Sequence, residues 1–199
     1  MRSLDELIRT YKGEPAQALV APRLMAPGDV YYLAWTGGGG FGDPLKRDPR
    51  RAAQDVLAGL LSSERCRDTY GVVMSASSDV DVDATAALRN VMRKGRLAEA
   101  EAARIGSRQS RSADRLGNPV YGILCVAEAN GKATLACGEC GVMICPRDAD
   151  FHDHVPTRAR APASLGHRSV RSDWQTYREH FCPRCGVLLD VALESAAAA

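Results

Sequence analysis

The chain has 199 residues, 25% of them charged and 45% apolar, and Lys plus Arg exceed Asp plus Glu by only 26 − 24 = 2. That is ordinary globular composition with room for one large domain or two small ones, and too small a basic excess to argue for a nucleic-acid partner. The first twenty residues hold Asp5, Glu6 and Glu14 and no long apolar run, so neither a secretory leader nor a membrane span is expected. Seven cysteines, an odd number, fit reduced thiols better than a full set of disulfides, and the expected compartment is the cytoplasm.

Ser3 caps a short apolar stripe and predicts a helix through Arg9. A Pro-Gly turn at Pro27-Gly28 precedes Val30–Trp35, whose aromatic and branched residues read as a strand. After the run Gly37–Pro44, Asp48 is an N-cap with Pro49 at the first helical position, and the pattern runs through Val56, Leu57, Leu60 and Leu61. A short helix is expected over Ser63–Thr69 and a strand over Tyr70–Met74. From Asp83 a helix should place Ala84, Leu88, Val91, Ala98 and Ala102 on one face, with Gly95 a possible break.

Residues 106–118 are polar, basic and aperiodic, and read as a linker between segments 1–105 and 119–195. Val120–Val126 and Lys132–Leu135 flank Asn130-Gly131, a hairpin signal. Residues 146–172 read as a long loop, Trp174–His180 as a short helix and Val187–Leu193 as a last strand. The fold class is α+β: a strand-helix segment that packs on a partner, then a small zinc ribbon-like β domain.

The sharpest chemical signal is a pair of knuckles, Cys137-Gly-Glu-Cys140-Gly141 and Cys182-Pro-Arg-Cys185-Gly186. Four thiolates in two such pairs can close a tetrahedral shell around one zinc ion, and a closed shell is structural. The glycine after each second cysteine lets the backbone fold back so that amide N–H groups approach the sulfurs. Redox use normally needs one Cys-x-x-Cys, so the pairing argues against it. Cys145, five residues past Cys140, could stand in for one ligand, whereas Cys66 and Cys125 read as small buried hydrophobes. His152 and His154, with Asp150 and Asp153 nearby, invite a second metal, as does His180. The polar setting favours solvated histidines instead.

Gly37, Gly39 and Gly42 satisfy a G-x-G-x-x-G pattern, but Asp43 and Pro44 follow where a phosphate loop needs a helix start or Lys-Ser/Thr. Close approach of backbone to another chain or element explains the glycines better. Arg89, Arg93, Lys94, Arg96, Arg104, Arg108, Arg111 and Arg115 read as a solvated helix face and linker, with an acidic partner subunit as the second reading. No catalytic or organic cofactor-binding residue is assigned.

Gly37–Pro44, Arg47-Asp48-Pro49, Asp55-Val56, Gly59 and Tyr70-Gly-Val-Val73 together resemble the C-terminal end of the hydantoinase B family over residues 15 to 92, with Phe41 at the position of its usual tyrosine. The bulk of such a subunit is missing from this chain. From about Val120, the strand pair leading to the first knuckle and Tyr177–Asp190 around the second resemble the small zinc-binding gamma subunit of acetone carboxylase. The resemblance implies a zinc-binding, non-catalytic small subunit of an ATP-dependent ketone carboxylase acting on acetone or acetophenone. Hydantoinase A-like and hydantoinase B-like large subunits would carry ATP and a further divalent metal ion in a cytoplasmic hetero-oligomer, with no nucleic acid or membrane involved. The alternatives are a small subunit of an ATP-dependent hydantoinase or lactamase-type amidohydrolase, and a free-standing zinc-ribbon binding module.

Overall fold

The computed structural model describes residues 9, 25–28, 40–105, 112–113, 115–129, 131–165 and 174–195. The expected helix over Ser3–Arg9 (Arg9 alone is described, as helical), the strand Val30–Trp35, and Gly37, Gly39, Arg108 and Arg111 lie outside them. The turn at Pro27-Gly28 is present in a first unit, Met1–Gly37. All that follows concerns the second unit, Gly38–Ala199.

Asp43 caps a single 3-10 turn, Pro44–Lys46, by accepting the Leu45 N–H at 2.9 Å. Asp48 then caps α1, Pro49–Leu57, with its side chain on the Arg50 N–H at 2.8 Å and Pro49 at the first helical position, as expected. The helix stops before Leu60 and Leu61. The Leu60 N–H returns to the Asp55 carbonyl and the Gly59 N–H to Val56, a glycine-closed terminus that satisfies the last carbonyls.

Ser62 caps α2, Ser63–Tyr70, and left-handed Gly71 (φ +62°) ends it. Tyr70, expected to open a strand, therefore closes a helix. The strand shrinks to one bridge between Met74 and Val80, and the Val73 N–H goes to Thr85 Oγ1 at 3.0 Å. Asp81 caps α3, Val82–Glu99, which runs unbroken through Gly95.

The inward face of α3 differs from the apolar stripe read in the sequence. Val91 and Ala98 are exposed and Ala102 lies past the helix end, while Thr85 is buried and Arg93 and Arg96 turn inward. The arginine stems lie along packed surface while their guanidinium groups find acceptors. Arg89, for example, donates to the Tyr70 and Arg47 carbonyls at 3.0 and 2.7 Å. The solvated basic face is thereby corrected for these residues. A small core of Ala52, Cys66 and Val72 joins α1 and α2.

A four-stranded antiparallel sheet follows, in the order β1 (Leu116–Tyr121), β2 (Leu124–Ala129), β3 (Lys132–Cys137) and β4 (Met143–Pro146). The hairpin around Gly131 is as expected. The stretch Val120–Val126 is broken, because a turn at Gly122-Ile123 sends it into two strands, and β1 starts within the residues read as linker.

A second antiparallel sheet has the order β5 (Thr157–Arg160), β6 (Gln175–Phe181) and β7 (Leu188–Ser195). Two readings are overturned here. Residues 146–172 contain β5 and 3-10 turns at Phe151–His154 and Pro162–Leu165, and Trp174–His180, expected as a helix, is mostly β6. As the central strand β6 takes ladder hydrogen bonds from both neighbours, and that pairing overrides its local helical pattern. Leu124, Leu135, Val142, Ile144, Phe151, Val155, Val187 and Leu189 form the core beneath the two sheets.

Candidate metal centre

The first knuckle is the β3–β4 connection and the second the β6–β7 connection, so each sheet delivers one Cys-x-x-Cys turn. The two turns repeat one backbone pattern. The Gly141 N–H returns to the Cys137 carbonyl at 2.8 Å and the Gly186 N–H to the Cys182 carbonyl at 2.9 Å. The Cys137 and Cys182 N–H groups reach the Val142 and Val187 carbonyls, both at 2.9 Å. Gly141 and Gly186 adopt φ +72° and +67°, the left-handed region that glycine enters without strain.

These turns bring the Sγ atoms of Cys137, Cys140, Cys182 and Cys185 within 4.8 Å of one another. Cys137 and Cys185 are 3.9 Å apart, and Cys140 and Cys182 3.6 Å. A tetrahedral ion with metal–sulfur bonds of about 2.3 Å needs sulfurs about 3.8 Å apart, so the cage has the size for a zinc-like cation. Cys137 and Cys182 have no exposed surface, whereas Cys140 and Cys185 are half-buried.

The electrostatics of the thiols point the same way. Hydrogen bonds from the Cys182 and Cys185 thiols, helped by the Cys140 and Glu139 backbone N–H groups, bring the Cys137 thiol down to about 4. Hydrogen bonding to the Cys137 sulfur, followed by burial, pushes the Cys182 and Cys185 thiols up. Four thiolates cannot coexist at this spacing without a cation to neutralise them, and a divalent ion supplies that charge.

Among the described residues these four form the one group of His, Cys, Asp and Glu side chains able to hold a metal ion. Cys145 does not join it. It sits in β4 opposite Leu135, where burial pushes its thiol up to about 11. Cys66 and Cys125 are buried in the two parts of the chain, as expected.

No second metal cluster forms around His152, His154 and His180 among the described residues. His152 is not simply solvated either. Its Nδ1 meets Asp150 at 2.6 Å and its Nε2 meets Asp190 at 2.9 Å, with Asp190 also accepting the Tyr121 hydroxyl at 2.8 Å. The His180 ring lies 4.3 Å away, edge-on and 3% exposed, and burial followed by the charge of His152 lowers it to about 4. The group is a polar brace between the 3-10 turn, β1 and β7.

Two residues beside the centre were not assigned a role from the sequence. Asp43 is buried and bound to Arg96 and to the Leu188 N–H. Glu139, inside the first knuckle, pairs with Lys46 and Arg93. A hint existed for Asp43, an aspartate in a glycine loop that its own charge bars from phosphate. Nothing local identifies Arg96, 53 positions later, as its partner.

Comparison with known proteins agrees with both resemblances. Residues 112–197 match the family described as acetone carboxylase gamma subunit. The chain is 38% identical over 87 residues to the acetone carboxylase alpha subunit of Xanthobacter autotrophicus, a match covering 42% of this chain and 11% of that protein. It is 36% identical over 64 residues to a protein of Pseudomonas sp. provisionally named as the B component of a D-/L-hydantoinase, covering 32% of this chain and 11% of the relative. It is also 41% identical over 64 residues to the acetophenone carboxylase delta subunit of Aromatoleum aromaticum, covering 31% and 9%. The chain thus spans about a tenth of the length of these relatives. The matches are consistent with the hydantoinase B and acetone carboxylase superfamily.

Proposed function

We propose that this chain is the small zinc-binding subunit of a cytoplasmic, ATP-dependent ketone carboxylase, with a structural role in assembly. The observation that carries the reading is the four-thiol cage inside the segment that matches acetone carboxylase gamma subunits. Cys137, Cys140, Cys182 and Cys185 hold one structural zinc ion. Residues 1–105 complete a hydantoinase B-like large subunit, 106–118 link, and 119–195 form the zinc ribbon-like domain. Phe41, Leu57 and Leu60, 91%, 66% and 79% exposed, suit a surface that another subunit covers. ATP and a further divalent ion belong to the hydantoinase A-like and hydantoinase B-like partners. Among the described residues no helix is long and apolar enough to cross a membrane.

A second reading, a small subunit of an ATP-dependent amidohydrolase, is favoured by the likeness to the D-/L-hydantoinase component. One experiment addresses both. The native assembly is purified through a tag on this chain, its subunits are identified by mass spectrometry, and its metal content is measured. ATP hydrolysis is then followed with ketone plus bicarbonate, and separately with cyclic amides. Large subunits, zinc matching this chain in amount, and ketone- and bicarbonate-dependent turnover are expected. Turnover only with cyclic amides selects the second reading. A chain that carries zinc but captures no large subunit sinks both.

A further inference from the structure

The segment after the glycine run and the face of the metal centre are built into one another. Asp43, its side chain 1% exposed, takes two N–H groups of Arg96 at 2.8 and 3.0 Å and the Leu188 backbone N–H at 3.0 Å. Arg96 also donates to the Gly186 carbonyl of the second knuckle at 3.3 Å and lies 5.6 Å over the ring of Phe181, the residue before Cys182. On the first knuckle, Glu139 faces Lys46 and Arg93. A Cβ on Gly186 would stand 2.5 Å from the Arg93 carbonyl oxygen, so α3 rests its backbone directly on the knuckle.

From the metal side these groups make a socket. It offers the Leu188 N–H to a carboxylate, the Gly186 carbonyl and the Glu139 carboxylate to cations, and the Phe181 ring to a guanidinium plane. What fills it is the aspartate of a Gly-Asp-Pro loop together with an arginine-bearing helix. Of the two halves that meet here, residues 112–197 match the family described as acetone carboxylase gamma subunit, while the Gly-Asp-Pro half resembles the C-terminal end of the separately named hydantoinase B family.

We infer that the face formed by the two knuckles is a docking socket for the Gly-Asp-Pro loop and arginine helix of a hydantoinase B-type C-terminal segment, filled in this protein by its own residues 42–96. The socket is therefore taken, and the zinc half cannot also grip such a tail on a large subunit. Large subunits must meet this chain elsewhere, and Phe41, Leu57 and Leu60 are exposed apolar residues that make none of the socket's polar contacts. The inference rests on contacts within the chain and holds for carboxylation and amide hydrolysis alike.

The test uses the full chain with a protease recognition sequence placed within residues 106–111, folded intact with zinc and then cut. The two pieces should stay together on size exclusion, with zinc in the cysteine-bearing piece. Asp43→Asn should speed their separation at least tenfold. Glu139→Lys should speed it several-fold and more at low salt, because it sets like charge against Lys46 and Arg93 without touching a thiol. Glu139→Lys also covers the case in which Asp43→Asn fails to fold. Pieces that part on cutting in the unsubstituted chain, or variants that hold as firmly as it does, would overturn the socket. Neither result bears on whether the native assembly carboxylates a ketone.

Discussion

Cys182 has no exposed surface, and its sulfur sits 3.6 Å from that of Cys140 on the other sheet. Replacing it by serine removes one of four charges that a cation needs, and a structural zinc site contributes apparent folding free energy of about 10–16 kcal/mol in small metal-dependent domains. Cys182→Ser should lose the metal and expose the amides of β3, β4, β6 and β7, read by metal content after gel filtration and by hydrogen exchange. Full metal retention would remove Cys182 from the ligand set. Cys145→Ala is the contrast, because its thiol lies outside the cage: metal content should be unchanged, at a packing cost of about 1 kcal/mol.

His152 makes a separate claim at the same scale. Burial works against its charge, but Asp190 and Asp150 outweigh it, so its folded value lies above 6.5. A raised histidine stabilises fully below 6.5, and the contribution fades as pH rises through the folded value. Both aspartates are held below 3.8, so their share is lost only as pH falls through their lowered folded values. The brace is strongest between those limits. In a histidine NMR titration of the zinc-loaded chain, His152 should titrate above 6.5, and substituting Asp190 by Asn should bring it down. Titration below 6.5 in the unsubstituted chain would show that the contact does not persist in solution.

Among the elements, α2 depends on how it ends. Gly71 is left-handed, and a Cβ there would stand 2.8 Å from Arg89 Cγ and 3.1 Å from Met92 Sδ. Gly71→Ala should cost about 1–2 kcal/mol for the backbone alone and lower the melting temperature by a few degrees. An unchanged melting temperature would contradict the turn. Such local rules were legible in the sequence. Asp48, Pro49, the helix from Ser63 and the hairpin at Gly131 each follow from residues within four positions of one another, and both knuckles do too. What was not legible depends on distant partners. β6 reads as a helix by itself and is a strand because β5 and β7 flank it. The face of α3 reads as apolar, yet arginines occupy it because Tyr70, Arg47, Asp43 and Gly186 supply acceptors that no spacing along the helix reveals.

At the scale of the whole second unit, the metal and the Gly-Asp-Pro loop share one set of supports. Arg96 and Asp43 bind groups on Gly186 and Leu188, whose positions depend on the second knuckle, and a cation bound by its thiols, which are placed to hold one, would fix that knuckle's shape. Burial opposes the Asp43 charge, yet Arg96 and the Leu188 and Leu45 N–H groups hold its carboxyl below 3.8. Its contribution is therefore present above 3.8 and lost as pH falls through the lower folded value. Breaking a buried pair by removing one partner costs about 3–5 kcal/mol, because the other charge is left without a counterion. Chelating the metal at neutral pH should act on this pair from the far side. It frees the knuckle, withdraws the Leu188 N–H and the Gly186 carbonyl, and leaves the Asp43–Arg96 pair supported only by the local Leu45 N–H. Hydrogen exchange should then quicken in residues 43–46 and 92–99 together with the two knuckles, although no thiol lies in either stretch. If chelation loosens the cysteine turns and leaves α3 as protected as before, the two halves are neighbours without energetic coupling. If α3 loosens in step with them, the metal sets the position of the glycine loop through a path that runs from thiolate to knuckle to guanidinium to Asp43.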